Sequence, residues 1–142
     1  GLADHAEITL EANPGTVTQQ SLAGFRSAGI NRLSFGLQSC NDTQLITLGR
    51  LHNRQEGIDA VRWARQAGFD NLSLDLMFAL PGQTTSALEE ELRNYLELAP
   101  EHLSCYGLTA EPQTPLLNSI ARGELSLPDE EFYADAFMLR QL

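Results

Sequence analysis

The 142-residue sequence carries a formal net charge of −10 and a pI of about 4.5, which leaves no electrostatic footprint for DNA, RNA or an anionic membrane surface. Its nine basic residues are all Arg, so chemistry that needs a lysine Schiff base is excluded. Cys40 and Cys105 lack CxxC or Cys/His spacing, which argues against a zinc site or a disulfide framework and for two buried thiols. No apolar run reaches the ~18 residues of a membrane span, and no basic-then-apolar signal region opens the chain. A cytoplasmic protein is expected. The opening Gly1 and a terminal helical pattern still in progress at Leu142 further suggest a piece of something larger.

Glu7 to Glu11 alternates apolar and polar residues and stops at Asn13-Pro14-Gly15, which predicts a first strand. Thr16 and Gln19 have capping-box spacing for a helix from about Val17 to Ala28. Arg32 to Gln38 alternates again as a second strand. A short helix or structured loop is expected over Asn41 to Gly49, then a helix capped by Asn53 and Glu56 and ending before Gly68. The third strand lies in Asn71 to Thr85, where Asp75 interrupts an apolar run that closes on Pro81-Gly82. Ser86 and Glu89 suggest the cap of the next helix, with Leu88, Leu92, Tyr95, Leu96 and Ala99 as its apolar stripe and Pro100 as its stop. Leu103 to Thr109 reads as a fourth strand. Helices around Pro115 to Arg122 and from about Asp129 complete the chain.

Ala28-Gly-Ile-Asn-Arg-Leu-Ser and Ala67-Gly-Phe-Asp-Asn-Leu-Ser are near-copies 39 residues apart, and Leu-Ser recurs at Leu103-Ser104. Such a period suits a repeated strand-helix unit and a parallel sheet. In the first three strands one parity is large and apolar, and the other is small or polar: Thr9 and Glu11; Ser34, Gly36 and Gln38; Ser73 and Asp75. An open doubly wound sheet would bury both parities. A β/α barrel with a polar, ligand-filled lumen fits better, with Glu11, Gln38 and Asp75 converging near its C-terminal rim. In the fourth strand Ser104 and Tyr106 share one parity and Thr109 has the other.

Asp75 stands out, because an ionised carboxylate inside an apolar strand is costly unless something binds or pairs with it. Arg50 after Leu48-Gly49 either caps the short helix or grips a carboxylate or phosphate near the lumen. Glu11 and Gln38 are each also compatible with a solvated strand end. His52 is read as part of a polar loop, and none of His5, His52 and His102 as a metal ligand.

Taken together, Glu11-Ala-Asn-Pro14, Asn31-Arg-Leu-Ser-Phe-Gly-Leu-Gln38, Leu48-Gly-Arg-Leu-His52, Asp75-Leu-Met-Phe-Ala-Leu-Pro-Gly-Gln-Thr84 and Leu108-Thr-Ala-Glu-Pro-Gln-Thr114 resemble the oxygen-independent coproporphyrinogen III oxidase family of radical SAM proteins, and most nearly its HemW-like, haem-chaperone branch. The resemblance implies the α/β architecture of a partial (β/α)6 barrel of the TIM type, here its central part, about four parallel strands spanning residues 1–142. It implies S-adenosylmethionine as cofactor, held by Glu11, Gln38, Arg50 and Asp75, with Thr109 contributing through its backbone. Gln38 and Asp75 suit ribose hydroxyls, Arg50 a bidentate grip on the methionine carboxylate, and Glu11 an amino or hydroxyl group.

The implied partners are a porphyrinogen or haem, an electron donor and a haem-receiving protein. The family's CxxxCxxC motif for the [4Fe-4S] cluster is not in this sequence, and Cys40 and Cys105 cannot replace it, so no metal ligand is assigned and the piece alone is expected to be inactive. The HNxxYW segment of the HemW-like branch is missing as well. Two other readings compete: a barrel hydrolase using Glu11 and Asp75 as paired carboxylates, and a structural remnant without activity.

Overall fold

A computed structural model describes residues 3–139. Strands form where large apolar residues alternate with small or polar ones, which buries the apolar face of the two central strands and leaves the edge strands only part-buried. They are β1 (Thr9–Ala12), β2 (Arg32–Gln38), β3 (Leu72–Phe78) and β4 (His102–Gly107), joined in parallel in the order β1-β2-β3-β4. Helices α1 (Gln19–Ser27), α3 (Arg54–Gln66) and α4 (Thr85–Glu97) form the crossovers. The short α2 (Asp42–Thr47) precedes α3, and α5 (Pro115–Ala121) and α6 (Glu130–Leu139) follow β4. None of these helices is long and apolar enough to cross a membrane.

Leu33, Phe35 and Leu37 of β2 and Leu72, Leu74 and Leu76 of β3 form one buried cluster with Leu22 of α1, Ala60, Val61 and Ala64 of α3, and Leu88 and Tyr95 of α4. The crossover helices therefore lie on one face of a sheet whose strand order never reverses. A doubly wound sheet would reverse its order and place helices on both faces. The alternate residues, Glu11, Ser34, Ser73 and His102, share one register row on the opposite face. This is the singly wound arrangement from which β/α barrels are made.

Several boundaries differ from the sequence expectations. Thr16 is tied into a 3-10 turn at Pro14–Thr16, its hydroxyl donating to the Asn13 carbonyl at 2.7 Å. The cap of α1 therefore falls to Thr18, in a capping box with Ser21. The loop before α4 is closed by Gln83 N–H donating to Leu80 O at 3.0 Å, so Thr84 caps α4, not Ser86. The Asn53-Glu56 capping box of α3 forms as expected. The buried stripe of α4 runs through Leu88, Glu91 and Tyr95, while Leu96 is exposed. β4 ends at Gly107, two residues short of Thr109.

β2 and β3 do not stay in step. Phe35 pairs with Leu74, but Gln38 pairs with Leu76, so β2 holds one extra residue opposite Asp75. Such a bulge re-aims side chains at the end of a strand. Gln38 takes a φ of +67°, and Ser39 N–H donates to Leu37 O at 2.8 Å, making Gln38 the centre of a positive-φ γ-turn, a rare and strained shape.

Candidate functional site

The bulge and the strand ends shape an open cleft of about 470 Å³, in the size range of ligand sites. Glu11, Asn13, Thr16, Ser34, Gln38 and Asp75 supply its polar lining, with Gly36 among them. Because β1 is an edge strand, the cleft also wraps onto Leu10 and Ala12 of the opposite parity. Three of the five residues singled out from the sequence, Glu11, Gln38 and Asp75, thus meet in one cavity. Arg50 and Thr109 do not line it: Arg50 follows α2, its N–H donating to Leu45 O at 2.9 Å, and Thr109 is exposed beyond β4.

Two polar atoms stand out here. Gln38 Oε1 and Arg50 Nε are buried without a hydrogen-bond partner, an arrangement that native proteins rarely leave unexplained. Gly36 leaves room for the Gln38 carboxamide. A Cβ at Gly36 would come within 3.2 Å of Gln38 Nε2 and 3.3 Å of Asn13 Oδ1, which is tighter than ordinary packing.

Asp75 is half-buried, and burial holds its carboxyl above the ordinary carboxylate range. The Ser104 hydroxyl on neighbouring β4 lowers it, the Glu11 charge raises it, and His102 and Arg32 lower it. A row of small polar groups continues from the acid into the sheet, where Ser73 Oγ lies 2.9 Å from His102 Nδ1. Asp75 is also anchored from behind. Alternate carbonyls of β3, Leu72 O to Glu101 N–H and Phe78 O to Leu108 N–H, face β4. The Asp75 carbonyl therefore faces the bulge in β2, and it accepts a hydrogen bond from Tyr95 Oη at 3.1 Å.

The rim holds residues that sequence reasoning missed. His52 lies in the loop before α3, as expected, but is buried there; its Nε2 lies 3.1 Å from Leu37 O, so that nitrogen must carry the proton. Glu91 is 6% exposed. It accepts from Ser39 Oγ, from Cys40 N–H at 2.6 Å and from Gln83 Nε2 at 3.2 Å. Its position in line with Leu88 and Tyr95 on the apolar side of α4 was the available signal. Cys40 and Cys105 are part-buried thiols, less enclosed than expected, because Cys40 lies on the rim and Cys105 on an edge strand. Burial pushes the Cys40 thiol up to about 12, with the Glu91 charge adding to the effect and Arg54 opposing it. Among the described residues no group of acidic, His and Cys side chains could hold a metal ion.

Residues 2–94 match the model of the Radical SAM superfamily. The chain is 42% identical over 135 residues to the heme chaperone HemW of Bacillus subtilis, covering 95% of this chain and 36% of that protein. It is 46% identical over 134 residues to the heme chaperone HemW of Haemophilus influenzae, covering 94% and 34%. It therefore spans about a third of the length of the curated relatives it matches. The structure of the Escherichia coli coproporphyrinogen III oxidase HemN superposes with a TM-score of 0.79 at 27% identity, covering 94% of this chain and 30% of that one. None of these likenesses supports a hydrolase working through Glu11 and Asp75. The α/β architecture, the parallel strand order and the family match agree: the chain belongs to the Radical SAM superfamily.

Proposed function

We propose that the chain is the central part of a longer barrel of haem metabolism and that its cleft holds S-adenosylmethionine. The superfamily uses that cofactor with a [4Fe-4S] cluster, and S-adenosylmethionine bound beside the cluster supplies one-electron chemistry. The observation that carries the reading is the buried, partnerless Gln38 Oε1 beside Glu11 and Asp75 in one cleft. In this reading Gln38 accepts from a ribose hydroxyl and Asp75 holds its neighbour. Glu11 takes an amino or hydroxyl group, and Arg50, outside the cleft lining but with its Nε buried and partnerless, binds the methionine carboxylate where the ligand extends beyond the cleft. Thr109 contributes through its backbone. The cluster ligands are supplied from outside this sequence.

For the whole protein we favour haem handling over oxidative decarboxylation of porphyrinogen propionates, because the HemW relatives are 42% and 46% identical and HemN only 27%. Its partners are then haem, a haem-receiving protein and an electron donor, in the cytoplasm. The test is a pair of assays on full-length protein with its cluster reconstituted. Haem transfer to an acceptor, with no decarboxylated product from coproporphyrinogen, supports the chaperone reading; decarboxylated product overturns it in favour of the oxidase. Unaltered S-adenosylmethionine affinity in both Gln38→Ala and Asp75→Ala would remove the cleft from the cofactor site.

A further inference from the structure

We propose that Glu91 is a positioning residue: by gripping Ser39 and Cys40 it sets the γ-turn at Gln38 and so aims the Gln38 carboxamide into the cleft. The proposal rests on the reading of that cleft as the cofactor site. Gln38 is not glycine, yet it holds a φ of +67° at the end of β2. A side chain at such a φ is strained, and it persists only where its surroundings over-determine it. Three groups do so here. Leu37 O, on the N-terminal side of the turn, is contacted by His52 Nε2 at 3.1 Å as well as by Ser39 N–H at 2.8 Å. On the C-terminal side, Glu91 Oε1 takes both the Ser39 hydroxyl and the Cys40 N–H. Ser39 Oγ in turn accepts Asn41 N–H at 3.0 Å, so the chain is fixed through to the start of α2.

Glu91 also ties this turn to the opposite rim. Its second oxygen accepts from Gln83 Nε2, and Gln83 Oε1 accepts from Leu80 N–H at 3.3 Å, within the Pro-Gly turn that follows β3. A buried carboxylate with three donors from two strand-end loops fixes the spacing between the ends of β2 and β3. Those are the strands that carry Gln38 and Asp75. A carboxylate serving only the packing of α4 would have no need to face the two residues after the strained one.

The test has a conformational arm and a binding arm. Backbone chemical shifts of Gln38, read without ligand, should show a positive φ in the wild-type chain. They should move to extended values in Glu91→Met, which keeps the volume and removes the acceptor. Ser39→Ala, a milder change, should move them in the same direction. Unmoved Gln38 shifts in Ser39→Ala, or in a folded Glu91→Met, overturn the proposal. In the binding arm S-adenosylmethionine is titrated into cluster-loaded full-length protein by calorimetry. Gln38→Ala and Glu91→Met should each weaken binding about tenfold, the effect of losing one hydrogen bond to a buried group. The double variant should be no weaker than Gln38→Ala alone, and multiplying effects would overturn a role exerted through Gln38. Wild-type protein that binds no S-adenosylmethionine would overturn the cofactor reading instead, and the chemical shifts would still decide whether Glu91 sets the turn.

Discussion

Tyr95, fully buried on α4, donates its hydroxyl to the main-chain oxygen of Asp75 at 3.1 Å. The helix behind the sheet thus holds the backbone of the residue that faces the cleft in front of it. Tyr95→Phe leaves the ring in place and deletes only this donor. It should cost about 1 kcal/mol of stability, the usual net worth of such a bond, read from urea unfolding. The loss should appear in the midpoint with an unchanged slope.

Asp75→Asn should separate stability from binding. Burial raises the native carboxyl above its unfolded value, so the folded chain holds the proton more tightly than the unfolded one. Stability then falls as pH rises from below the unfolded pKa near 3.8 through the higher folded value. The Asn variant lacks this fall, and should be at least as stable as wild type at pH 7 while binding S-adenosylmethionine more weakly. Denaturant midpoints between pH 4 and 7 provide the check.

Glu101 should show the opposite sign. Its pKa is lowered: burial alone would raise it, but the hydrogen bonds from the Leu72 N–H and the Arg65 guanidinium, with the Arg65 charge, together outweigh burial and favour the charged form. The carboxylate accepts from Leu72 N–H at 2.7 Å and from Arg65 at 3.0 Å, anchoring the start of β3. Its contribution is present above the unfolded value of 4.5 and is lost as pH falls through the lower folded one. Glu101→Gln should therefore be less stable than wild type at pH 7 and converge with it in acid.

Gly36→Ala tests the cradle. Its methyl group would press on Gln38 Nε2 and Asn13 Oδ1, and overpacking of this kind costs about 1–3 kcal/mol where neighbours cannot yield. Gln38 is at the open cleft and can turn away, so the stability loss should lie at the low end. The larger effect should be on S-adenosylmethionine affinity, weakened at least about tenfold, by calorimetry on cluster-loaded protein. An unchanged affinity would mean that the carboxamide over Gly36 does not touch the cofactor.

The strands, and the gathering of Glu11, Gln38 and Asp75 on one face, were legible because side chains alternate with a period of two and the acid falls on the polar parity. The helix starts were less so. Thr16, Thr18, Thr84 and Ser86 all have cap chemistry, and the choice between them is made by hydrogen bonds in the preceding loops. The bulge was not legible at all, since Arg32 to Gln38 alternates without interruption and the extra residue shows only against β3. His52 and Glu91 were missed because their partners are remote in sequence, 15 residues away for His52 and 52 for Glu91 with Ser39.

The separation of helix-facing from cleft-facing side chains along β2 has a consequence for how the strand tolerates change. Replacements at Leu33, Phe35 and Leu37 create voids in the core and should lower the amount of folded protein in a cell. Replacements at Ser34, Gly36 and Gln38 leave that core intact and should lower abundance less, while damaging function more. A mutational scan scored separately for protein level and for activity per folded molecule would show two interleaved stripes along these residues, each weakest where the other is strongest. Stabilising this strand by design is accordingly confined to every second position.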